Sequence, residues 1–196
     1  MVANKLSEKE QRIRKEINMF FKKKTTDNFV TRGNTNIYDV TDVAVYIINY
    51  CAEQKRPVNN IYLQKLLYFV YSFFLVETTE KQHLFKSQMV AWYFGPAFPE
   101  IHYTFEHYHS DKIPYIDEYQ GLLSSHKKKA KDIDIADKDK ELIRYIVDKY
   151  RDRTLGDIVF LTQSQKPWSD AYGLSSNGAV ITDELIVEYF TNHRQK

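Results

Sequence analysis

Cysteine is nearly absent from this chain. Its 196 residues include one, Cys51, which excludes an intramolecular disulfide and any zinc site built from several cysteines. Glycine and proline are scarce too, at 6 and 5. That excludes collagen-like and low-complexity designs and argues against a turn-dense all-β architecture. Charge of one sign is not in excess. Lys and Arg number 28 against 26 Asp and Glu, a net of +2, which does not mark the whole chain as a polyanion binder. Long apolar runs are missing as well. The longest, from Leu66 to Val76 and broken by Ser72, spans 11 residues, whereas a bilayer-crossing helix takes about 20. The first residues mix acids with bases and hold no apolar signal region, so a soluble, cytoplasmic protein is expected, with no membrane partner.

What the chain has in quantity is aromatic surface, with 15 Tyr, 12 Phe and 2 Trp. That much apolar area left in water is incompatible with a globally disordered state. A chain of this length buries roughly 70% of its unfolded surface and needs no metal or disulfide staple. Basic residues concentrate at the start. Residues 1–24 carry 8 Lys and Arg against 3 Glu, while the remainder is net −3. Leu6, Ile13, Ile17, Phe20 and Phe21 share one side of a weakly amphipathic helix there, and the polar stretch 25–36 reads as a linker. Residues 1–36 are thus expected to be a basic N-terminal helix and linker extension.

Helical periodicity then strengthens. Val40, Val43, Ala44, Ile47, Ile48 and Cys51 follow one helix face, and Pro57 ends that helix. Asn59 or Asn60 caps the next, in which Leu63, Leu66, Leu67, Val70, Tyr71, Phe74 and Leu75 repeat the pattern. Ile61, Tyr68, Phe69 and Phe73 fill the opposite side, so this helix is expected at the centre of the fold. Residues 84–94 have strand character, Gly95-Pro96 is a turn signal, and Pro99 suits a first helical turn. Further helices are expected over 138–150, from Thr154 toward Leu161 through a Thr154–Asp157 capping box, and after Thr182. The fold class is therefore mainly α, a compact helical bundle with room for one short β-hairpin near 84–94.

Chemistry is sparse. Cys51 lies on an apolar stripe and reads as a small buried hydrophobe. The glycines form no phosphate cradle. His102 and Glu106, at i and i+4 beside His107, His109 and Asp111, present metal-ligand types, but no second cluster completes a site, and a polar rim explains them. The Lys127–Lys129 run and the basic start read as solvated faces, so nucleic acid is disfavoured as a partner. No catalytic residue, metal or cofactor is assigned, and no enzyme activity is expected.

Four blocks carry a resemblance. Leu63-Gln64-Lys65-Leu66-Leu67-Tyr68 resembles the LQKLLYF signature of the Panacea, or SocA-like antitoxin, domain, some members of which are phage-associated. Ala91 through Glu100 (AWYFGPAFPE) is similar to that family's AWxxGPVxPE block. Pro167-Trp168 and the stretch Ile181–Ile186 ending in Tyr189-Phe190 follow in order. The chain departs at Ala97, where Val is usual, and at Gln163, where His is frequent. The resemblance covers about residues 38–190 and assigns 37–192 to such a domain.

It implies a small helical antitoxin, without catalysis, that neutralises a protein toxin encoded nearby by direct binding. Two alternatives stay open: an adaptor delivering a toxin to an AAA+ protease, and a phage-associated nucleic-acid-binding or counter-defence protein. The partner-binding candidates are Gln64, Lys65, Tyr68, Trp92, Glu100 and, in the extension, Arg12, Lys15 and Phe20. Leu63, Leu66, Leu67, Gly95, Pro96, Pro99, Pro167 and Trp168 are read as structural. Gln64 and Lys65 interrupt a very apolar helix. Either they occupy its one wet edge or they meet a partner, and Glu100 is the candidate counter-charge for Lys65. Trp92 is expected to pack over the 63–75 helix.

Overall fold

A computed structural model describes residues 37–77, 83–175 and 178–192. The extension 1–36, with Arg12, Lys15 and Phe20, lies outside the described residues. Seven α-helices and two small sheets make up the described fold. Helix α1 (Val40–Glu53) starts at Asp39, whose carboxylate accepts from the Thr41 N–H at 2.6 Å. Helix α2 (Asn60–Glu77) starts at Asn59, whose Oδ1 accepts from the Tyr62 N–H at 2.9 Å, so Asn59 and not Asn60 is the cap. As its nearly uniform apolar surface requires, α2 is central. It contacts α1, helix α3 (Pro99–Thr104), helix α4 (Asp137–Tyr150), helix α5 (Leu155–Gln163) and the last helix, α7 (Asp183–Asn192). Helix α6 (Lys166–Leu174) packs on α5 and α7.

The core runs the length of α2, with Leu63, Leu66, Leu67, Val70 and Phe74 all sealed from solvent. Phe69 stacks on Tyr150 of α4 with ring centroids 4.0 Å apart and planes within 9°. Cys51 is buried in the same core, and that burial pushes its thiol up to about 12. Thr154 caps α5 as expected, accepting from the Asp157 N–H at 3.1 Å. Thr182 stands at the start of α7, where its hydroxyl lies 3.5 Å from the Leu185 N–H.

The hairpin is present but displaced from 84–94. Strand β1 (Val90–Trp92) pairs antiparallel with β2 (Gly95–Ala97), matching Val90 to Ala97 and Trp92 to Gly95. Gly95-Pro96 is therefore not the turn. Tyr93 and Phe94 are, and Gly95 carries the positive φ, +101°, that closes it. Pro96 is tolerated because β2 is an edge strand. On the other side of β1 lies β5 (Ala179–Val180), giving the order β2-β1-β5. A second ribbon pairs β3 (Glu118–Tyr119) with β4 (Lys128–Lys129). It is tied to α1 where Asn49 exchanges two hydrogen bonds with the Ile116 backbone, at 2.9 and 2.8 Å. Tyr119 and Lys128 both reach Asp42 of α1.

No helix among the described residues is long and apolar enough to cross a membrane.

Candidate functional site

The outer edge of β2 faces α2, where a further strand would otherwise pair. Helix α2 supplies a partner for one backbone group of β2 and for one just after it. Lys65 Nζ donates to the Pro96 carbonyl at 2.8 Å. Gln64 Oε1 accepts from the Phe98 N–H at 2.8 Å. The Gln64 amide then donates to Asn60 Oδ1 at 3.1 Å, and Asn60 donates to the His102 carbonyl in α3 at 2.9 Å. A polar ladder along one side of α2 thus holds the hairpin and the start of α3. It also blunts an edge that would invite strand addition.

The α5–α6 corner grips the same hairpin. Tyr68 OH donates to Gln165 Oε1 at 2.6 Å. Gln163 Nε2 donates to the Tyr93 carbonyl at 2.7 Å, and Trp168 Nε1 donates to the Trp92 carbonyl at 2.9 Å. Pro167, in the first turn of α6, sets Trp168 in place, where it stacks on Tyr172 at 4.7 Å. Gly95 admits the close approach. A Cβ there would stand 2.7 Å from Thr162 Oγ1 and 3.0 Å from Lys65 Nζ. The α2, hairpin and α6 sequence blocks converge on this cluster, although the sequence spreads them over a hundred residues.

The cluster is dry. Gln64, Lys65, Tyr68, Thr162 and Gln165 are each at most 2% exposed. Desolvation alone pulls the Lys65 ammonium down to about 7. The same cause raises the Tyr68 phenol well above its ordinary value. Glu100 is partly buried and its carboxyl is also raised, first by burial and then by the Asp39 carboxylate nearby.

These placements revise several expectations. Gln64, Lys65 and Tyr68 were candidates for touching a partner. Their polar atoms are bonded within the protein, Gln64 and Lys65 to the hairpin backbone and Tyr68 to the Gln165 side chain. Lys65 does not pair with Glu100; its Nζ donates instead to the Pro96 carbonyl. The Trp92 ring stands edge-on to His102 and Tyr103 of α3, at 5.0 and 6.2 Å. Gly178, with φ of +102°, leaves room for the indole, since a Cβ there would come within 3.0 Å of Trp92 Nε1. His102 and Glu106 share no helix face, because α3 ends at Thr104 and a 3-10 turn follows over Glu106–Tyr108. Among the described residues, no three His, Cys, Asp or Glu side chains converge as metal ligands.

The sequence reading missed two features. Gln163 holds the hairpin at the Tyr93 carbonyl and Gln165 ties the α5–α6 corner to Tyr68 of α2; the sequence marks Gln163 only as a departure from a frequent His, and Gln165 not at all. Tyr93 and Phe94 project from the hairpin tip, 70% and 53% exposed. Their signal was readable: two large aromatics occupy a turn where small polar residues are usual.

Searches of curated proteins and of solved structures returned no match to the chain. One family model, described as Antitoxin SocA-like, Panacea domain, matches residues 63–169. The matched span opens at Leu63 on α2, takes in the hairpin and the α5–α6 corner, and closes just after Trp168. It covers more than half of the sequence and most of the buried cluster, so the chain belongs to the SocA-like antitoxin, Panacea domain family.

Proposed function

We propose that this chain is an antitoxin that neutralises a cognate protein toxin, encoded nearby, by direct binding and without catalysis. The observation that carries the reading is the family match over residues 63–169. The buried clamp supports it from another direction. The polar residues that break the apolar pattern of α2 are consumed in holding the fold, so the working surface is sought outside them. Residues 37–192 form the binding domain in this reading, and 1–36 an appended arm. The protein acts in the cytoplasm, where its toxin is made.

Co-expression with the product of each adjacent open reading frame tests the proposal. One neighbour should arrest growth alone and be tolerated in the presence of this chain. The purified pair should form a stoichiometric complex. A toxin whose half-life collapses during rescue would instead indicate delivery to an AAA+ protease. If no neighbour is toxic and rescued, the reading fails.

A further inference from the structure

We propose that the tip of the β1–β2 hairpin, Tyr93 with Phe94, is the anchor this chain inserts into an apolar cleft of its protein partner. The inference rests on the antitoxin reading and names the surface that would carry it out.

Local structure does not ask for these residues. Tyr93 and Phe94 both keep negative φ, so the turn accepts most side chains at these two positions and does not itself call for large aromatics. Gly95 takes the left-handed conformation instead, at φ +101°. Nor does the core claim them, since both rings stand largely in water. They pack on each other edge to face, with centroids 5.0 Å apart and planes at 85°, and so present one rigid knob. Large exposed apolar side chains that neither the turn nor the core requires point to a contact made elsewhere.

The knob is held still. Four side chains grip the backbone around it: Trp168 at residue 92, Gln163 at 93, Lys65 at 96 and Gln64 at 98. Three of the four are drawn from α2 or the α5–α6 corner at hydrogen-bond distances of 2.7–2.8 Å, the fourth from α6 at 2.9 Å. A tip fixed before encounter loses little conformational freedom on binding, and aromatic anchors of this kind dominate interface energies.

Charge decides the kind of partner. From Ser87 to Pro99 the chain carries no Asp, Glu, Lys, Arg or His. A loop that bound nucleic acid would need cations for the phosphates. An uncharged aromatic knob fits an apolar protein cleft.

The test compares the full chain with the Tyr93→Ser/Phe94→Ser double variant against the purified product of the rescued neighbouring gene. The variant should keep the melting temperature of the wild type. It should bind at least roughly 30-fold more weakly, as expected when two anchor residues are truncated, and lose growth rescue. Should it melt early, Phe94→Glu is the second probe, keeping one ring while setting a carboxylate against the cleft, with the same losses expected. Undiminished binding and rescue by a folded variant would overturn the proposal while leaving the antitoxin reading intact. Self-association of the wild type that the variant abolishes would assign the knob to a second copy and overturn it as well. Salt-sensitive RNA binding lost in the variant, with toxin binding kept, would do the same. A wild-type chain that rescues no neighbour removes both readings.

Discussion

Replacing Lys65 by Met probes the most unusual group in the fold. Lys65 is 1% exposed and its ammonium is pulled down to about 7 by burial. In the unfolded chain a lysine holds its proton until about 10.4. Between those values the unfolded state binds more protons than the folded one, so stability must rise with pH. Below about pH 7 both states are protonated, and the desolvation penalty is at its full size, on the order of 5 kcal/mol for a shift of this extent. Raising the pH from about 7 to 8.5 should recover about 2 kcal/mol of it. Methionine has the length of the lysine stem and no proton to release, so that gain should vanish in Lys65→Met. Cys51 acts in the opposite direction, since its raised thiol loses stability as pH climbs, but it is common to both proteins and cancels in the difference. Urea unfolding at the two pH values measures the effect. The wild type should gain on the variant by about 2 kcal/mol as the pH rises. A difference between the two proteins that is the same at both pH values would refute the reasoning, because it would mean an ordinary lysine with access to water.

Gly95→Ala must adopt a positive φ and push its Cβ toward Thr162 and Lys65; a loss of about 3 kcal/mol and a melting temperature lower by roughly 10 °C are expected by calorimetry. Asn59→Ala removes the acceptor for the Tyr62 N–H and should lower the stability by about 1 kcal/mol in urea, with an unchanged m-value. Cys51 should resist a thiol-specific chromogenic reagent in the native protein near neutral pH and yield one full equivalent on unfolding; fast native reaction would contradict its placement in the core.

The long helices were legible because each carries several turns of one period, whereas α6 (Lys166–Leu174) was not anticipated. Val40 to Cys51 and Leu63 to Leu75 repeat their apolar positions often enough to fix both type and face. Caps were legible where a side chain serves its own neighbour, as Thr154 does for Asp157. The hairpin register was not. Its strands are three residues long, too short for any period, and the Gly-Pro pair that marks a turn in most contexts is absorbed into an edge strand here. Strand β5 joins from about ninety residues away with two residues, which leave no pattern. The clamp was half visible. Lys65 and Gln64 stood out by interrupting an apolar helix, yet their partners are backbone groups at Pro96 and Phe98, and a carbonyl has no letter in a sequence.

The late strand β5 has a further consequence. It zips onto β1, the helix behind it packs along α2, and Tyr71 OH donates to Asp183 at 2.7 Å where that helix begins. All three seams join the middle of the chain to residues 179–192, which leave the ribosome after every other described element. The hairpin can form during synthesis, but its far edge stays open until that segment arrives. Synthesis interrupted before residue 179 would therefore release a chain with a bare strand and an uncovered central helix, a substrate for quality-control proteases rather than a shortened working protein.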